Sequence, residues 1–132
     1  MNIFLLCVSI TILHRSNENC KWQQLTQLNV CWNRAYRKPF SMNEWMSVKE
    51  LQVLCGRLDF MRTYDQRKLV FWSRISRTKS VVMQACYGIL SMSREFNLLT
   101  SKYDVITEQC NVCDIRENVF TNFHNTVTSL LS

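Results

Sequence analysis

Asp59-Phe60-Met61-Arg62-Thr63-Tyr64-Asp65-Gln66-Arg67-Lys68-Leu69-Val70-Phe71-Trp72-Ser73-Arg74-Ile75-Ser76-Arg77 is the stretch on which the fold turns. At about 100° per residue, Met61, Tyr64, Phe71, Trp72 and Ile75 fall in one arc, the pattern of an amphipathic helix. Arg67 and Arg74 lie together on the flank of that arc, with Arg77 beside them. One helix is therefore predicted to carry both a core face and a basic ridge. Lys68 falls inside the arc, where its stem can lie on apolar surface while its ammonium reaches water.

Similar periodicity extends in both directions. Upstream, Trp22, Leu25, Leu28, Trp32, Ala35 and Tyr36 recur at helical spacing and predict a helix over Asn19–Lys38, stopped by Pro39. Phe40 to Met46 reads as a loop. Ser47-Val48-Lys49-Glu50 has the form of a capping box, followed by a buried stripe of Val48, Leu51, Leu54 and Cys55 and a stop at Gly56. Downstream, Ser80 is a predicted N-cap for a helix reaching about Phe96, with Val82, Ala85, Cys86, Ile89 and Phe96 inward and Gly88 as a weak point. Asn97 to Cys113 shows no clear period. Asp114-Ile115-Arg116-Glu117 resembles a second capping box, and Phe120, Phe123, Val127, Leu130 and Leu131 form its apolar stripe.

These segments predict an all-α fold, a small irregular bundle of about four to five helices, with residues 17–132 as one domain. Only two glycines and one proline occur in 132 residues, too few for the turns of a sandwich or barrel. The charge is uneven. Arg34 to Lys79 holds eleven Lys/Arg against four acids, while residues 80–132 are net acidic. A basic middle suits a polyanion partner, and it equally suits a solvated charged face.

Residues 1–16 form a separate apolar segment. Ile3 to Leu13 is too short to cross a bilayer as a helix, so no stable membrane span is expected there. Its length fits a signal-peptide core, although no Lys or Arg precedes it and no small-x-small cleavage site follows. Its β-branched content equally suits a short buried strand. Seven cysteines, an odd number, point to a reducing intracellular setting, cytoplasm or nucleus. Removal of the N-terminus before Cys20 would leave six, enough for the three disulfides of a small secreted helical protein.

Catalytic chemistry finds little support. His14 and His124 are the two histidines, and neither sits in a recognisable nucleophile arrangement. Cys110-Asn111-Val112-Cys113 has the C-x-x-C spacing that can clamp zinc, but no second ligand pair accompanies it, so Cys110 and Cys113 are weak metal candidates. Two glycines cannot build a phosphate loop, and the ten acids are scattered rather than clustered for two-metal chemistry. No cofactor is expected, and no enzymatic activity.

Within Trp32 to Tyr87 the residues resemble a known family. Trp32-Asn33-Arg34-Ala35-Tyr36-Arg37-Lys38-Pro39-Phe40 is similar to the Trp-Asn-x-x-(Phe/Tyr)-Arg-(Lys/Arg)-Ile-Phe block downstream of the polymerase in non-LTR (LINE-type) retrotransposon reverse transcriptases. Trp45-Met46-Ser47-Val48-Lys49-Glu50-Leu51-Gln52 resembles that family's Trp-Glu-Ser-Val-Lys-x-Leu-Gln. Asp65-Gln66-Arg67-Lys68-Leu69-Val70-Phe71 resembles its Asp-x-Arg-(Arg/Lys)-Leu-x-Phe. The three blocks keep order and spacing over about 56 of the 132 residues. Pro39 and Met46 depart from the pattern, and neither the polymerase's Tyr-x-Asp-Asp signature nor an endonuclease is present. The resemblance implies a basic, helical accessory region that contacts RNA or DNA without sequence preference. The expected contacts are Arg34, Arg37, Lys38, Arg57, Arg62, Arg67, Arg74, Arg77 and Lys79. The alternative is a decayed mobile-element remnant without activity.

Overall fold

A computed structural model describes residues 18–132. The apolar segment 1–16, with its signal-peptide and strand alternatives, lies outside the described residues. The described chain is all-helical, the small α bundle that periodicity predicts. Its helices are α1 (Glu18–Arg37), α2 (Lys49–Leu54), α3 (Phe60–Ser76), α4 (Val81–Ser91), α5 (Arg94–Tyr103) and α6 (Val112–Leu131). Among the described residues, no helix is long and apolar enough to cross a membrane.

The central helix is α3, which packs against α1, α4, α5 and α6. Asp59 starts it: its backbone is extended and its carboxylate accepts the Arg62 amide at 2.8 Å. Leu69, Trp72 and Ile75 are buried on its inner face. Leu69 and Trp72 share one cluster with Phe96, Leu99 and Tyr103 of α5 and Ile115 and Val119 of α6. The Trp72 and Phe96 rings lie 5.0 Å apart and tilted, and Tyr87 meets Phe96 edge-on at 5.9 Å.

Several sequence expectations shift. The predicted fourth helix divides after Ser91, because the Ser93 hydroxyl caps a new helix by accepting the Phe96 amide at 3.2 Å. Ser80 stands at the N-cap of α4 but makes no side-chain cap bond. Val82, Ala85 and Ile89 face outward, while Met83, Cys86, Tyr87 and Leu90 are half-buried. The box at Ser47–Glu50 does not form: the Ser47 hydroxyl accepts only the Lys49 amide, two residues on, at 3.4 Å. In α2 the inward pair is Val48 and Gln52, one turn apart, so Leu54 is left 85% exposed. Gly56 does end the element, at φ 64°.

The last capping box forms one turn earlier than predicted. Asn111 accepts the Asp114 amide at 2.9 Å and Asp114 accepts the Asn111 amide at 3.0 Å. The stripe of α6 is Ile115, Val119, Phe123 and Val127, with Leu130 and Leu131 exposed. On α1 the apolar residues are only partly turned in: Leu25 and Tyr36 are half-buried, Trp22, Leu28, Trp32 and Ala35 exposed.

Side chains of α3 tie down the segment between α5 and α6. Ser73 donates to the Cys110 carbonyl at 3.1 Å, and Ser76 to the Thr107 carbonyl at 3.2 Å. Two polar braces join α3 to α5. The Tyr103 hydroxyl donates to Asp65 at 2.6 Å, and Lys68, lying over the Tyr64 ring at 4.5 Å, pairs with Glu95. Burial, then the hydrogen bond to Asp65, raises the Tyr103 phenol above its ordinary range. Burial would lower Lys68, but its interactions with Glu95, and then with Tyr64, outweigh it and raise the ammonium.

Two predictions follow from this packing. Phe123→Ala lowers unfolding stability by about 3–5 kcal/mol in urea titration, while Leu54→Ala changes it by less than about 0.5 kcal/mol. Comparable losses would contradict the placement of α2. Tyr103 and Lys68 both hold their protons more tightly folded than unfolded. Their contribution is therefore intact below about pH 10 and is lost as pH rises beyond it. The urea midpoint is expected to fall above that pH, and Tyr103→Phe to reduce the fall; an unchanged slope would refute the Tyr103–Asp65 brace.

Candidate nucleic-acid interface

The nine basic residues that the sequence singles out divide into three that the fold engages and six without a side-chain partner among the described residues. Arg62 is half-buried on α3. Its Nη1 donates to Asp59 at 2.7 Å and its guanidinium lies 4.9 Å from the centre of the Phe123 ring. Its Nε is buried with no acceptor among the described residues. This guanidinium is turned toward Asp59 and Phe123, which sets Arg62 apart from the exposed members of the expected contact set. Arg37, half-buried at the end of α1, donates from Nε and Nη2 to the Met46 carbonyl at 3.3 and 3.0 Å, strapping the loop that follows. Arg77, though exposed, donates from Nη2 to the Cys110 carbonyl at 2.6 Å.

Arg34, Lys38, Arg57, Arg67, Arg74 and Lys79 are all exposed. No carboxylate pairs with any of them among the described residues. Arg67 and Arg74 sit two turns apart on the side of α3 away from the core, about 10 Å along the axis. The ridge read from the sequence is thus reduced to this pair, because Arg77 turns to the segment before α6.

Tertiary packing adds a seventh cation. A groove of about 600 Å³ opens between α1, the 56–58 turn, α3 and α6, and Arg57, Arg67 and Arg116 all line it. Trp32 and Phe120 supply its apolar walls, and Glu117 is the acid beside them. Arg116 was not among the sequence candidates. It lies in the net-acidic last third, and only the packing of α3 on α6 brings it to Arg67. No local signal in the sequence marks it.

Cys110 is half-buried and Cys113 exposed, both as free thiols. Among the described residues, no three His, Cys, Asp or Glu side chains converge as a metal site would require. Neither Cys86 nor His124 completes such a group with the C-x-x-C pair. His124 is exposed on α6. The cysteines Cys31, Cys55 and Cys86 are also free.

No protein-family model matches the chain, and no curated protein or solved structure matches it either.

The division of the arginines has a direct stability signature. Arg62→Gln strips a mostly buried carboxylate of its ion-pair partner and is expected to cost about 1–3 kcal/mol in urea unfolding. Arg74→Gln, on open surface, is expected to stay within about 0.5 kcal/mol of the parent chain. Equal effects would show that Arg62 is not a structural residue.

Proposed function

We propose that this chain is a noncatalytic helical module that holds RNA or DNA by its backbone, without sequence preference, through Arg34, Lys38, Arg57, Arg67, Arg74 and Lys79. One observation carries the reading. Lys21, Arg62, Lys68 and Lys102 each meet a carboxylate, whereas these six exposed cations meet none among the described residues. Unneutralised guanidiniums on open surface suit phosphate oxygens, which they can engage with two parallel hydrogen bonds. The resemblance of Trp32–Tyr87 to the post-polymerase region of LINE-type reverse transcriptases supports the same reading from the sequence side. The odd count of seven cysteines fits the intracellular setting of this reading.

A second reading, a mobile-element remnant without activity, draws on a different observation. Val81, Val82, Ile89 and Met92 leave the outer side of α4 and its end apolar and open, and Trp45 is 83% exposed. A remnant that has lost a covering neighbour would show such faces.

Titration of the purified chain into fluorescent single-stranded RNA and duplex DNA over about 50–300 mM salt separates the two. The binding reading predicts affinity that falls with salt at a log–log slope of about 0.7–0.9 per phosphate neutralised. It also predicts that joint Arg67→Glu and Arg74→Glu abolishes binding while circular dichroism stays helical. Unchanged affinity in that variant would refute the assignment, and absence of binding at low salt would leave the remnant reading.

A further inference from the structure

The groove between α1, α3 and α6 combines charge with the exposed Trp32 and the half-buried Phe120. Arg57 comes from the turn after α2, Arg67 from α3 and Arg116 from α6, so three distant parts of the chain place like charges around one concavity. Glu117 is the acid of the groove, yet it forms no ion pair with any of the three among the described residues. Mutual repulsion of this kind is relieved by an anionic occupant.

The walls narrow the choice of anion. Trp32 keeps 36% of its surface open. Its indole N–H donates to the Leu58 carbonyl at 3.3 Å, and its ring centre lies 5.9 Å from that of Tyr36 and 6.1 Å from that of Phe60. The ring is held in one orientation before any ligand arrives, which lowers the ordering cost of binding. An anchored indole beside free guanidiniums matches an unpaired nucleotide, whose base offers a flat π-face and whose phosphate offers acceptor oxygens. A duplex offers the phosphates, but its bases are already stacked on each other and reach such a ring only if flipped out.

We propose that this groove is a binding site for single-stranded nucleic acid, with a base stacked on Trp32 against the Phe120 wall and the adjoining phosphates on Arg57, Arg67 and Arg116. The proposal rests on the polyanion reading above. It adds the strand state of the ligand and a contact, Arg116, that the charge pattern does not contain.

The test compares a labelled oligouridylate of about 12 nucleotides, within the span that single-strand sites cover, with a duplex of equal length by fluorescence anisotropy. The parent chain is expected to prefer the single strand. Trp32→Leu is expected to weaken single-strand binding about 5- to 150-fold and to leave duplex binding unchanged. Arg116→Gln, on exposed surface where the fold is not at risk, is expected to weaken single-strand binding and to lower its salt slope by about 1. If Trp32→Leu loses its helical circular dichroism, Arg116→Gln decides alone. Equal affinity for both probes, with either well-folded variant indistinguishable from the parent, would overturn the groove and leave the basic surface standing. Absence of binding to both probes would overturn the groove and the basic surface together.

Discussion

One guanidinium joins the start of α3 to the middle of α6. Arg62 lies over the Phe123 ring and grips Asp59, whose other oxygen caps the helix that Arg62 belongs to. Helix start, ion pair and aromatic contact thus share three side chains, and removing any one exposes the other two to a poorer environment. From this joint the two helices enclose a common core in which Leu69 and Trp72 cluster with Ile115 and Val119. The same joint sets the rotation of both helices about their axes. With Leu69, Trp72 and Ile75 inward, Arg67 and Arg74 can only face out. With Ile115, Val119 and Phe123 inward, Arg116 and Phe120 fall on the neighbouring side of α6, toward the groove.

Basic residues of one stretch therefore have different physical roles. Arg37, Arg62 and Arg77 each donate to the protein itself: to a loop carbonyl, a capping carboxylate, and a carbonyl before α6. Arg34, Lys38, Arg57, Arg67, Arg74 and Lys79 are exposed and meet no carboxylate among the described residues. The proposed binding surface is what the fold leaves over after its own electrostatics are satisfied, and so it is smaller than the charge count suggests.

The helical class, the extents of α1 and α3 and the stop at Gly56 were legible because each rests on local chemistry: a sustained apolar period, a proline, a left-handed glycine. The faces were less legible. Leu54 and Ile89 have the hydropathy of core residues, yet they are exposed, because the partners of α2 and α4 lie on the Gln52 and Tyr87 sides. The cap at Asn111 competes with an equally good nearby alternative at Asp114, and the second cap at Ser93 divides a stretch whose start is already marked by Ser80. The basic ridge was half legible. Arg67 and Arg74 follow from helical spacing, but the inward turn of Arg62 and the arrival of Arg116 depend on long-range contacts that no window of sequence holds.

The side-chain resonances of the arginines test the division of labour most directly. A heteronuclear NMR spectrum of the guanidinium Nε–Hε groups, titrated with single-stranded oligouridylate, should shift Arg57, Arg67, Arg74 and Arg116 and leave Arg62 in place. A spectrum in which Arg62 shifts with the others, or in which none of the surface arginines responds, would contradict the account.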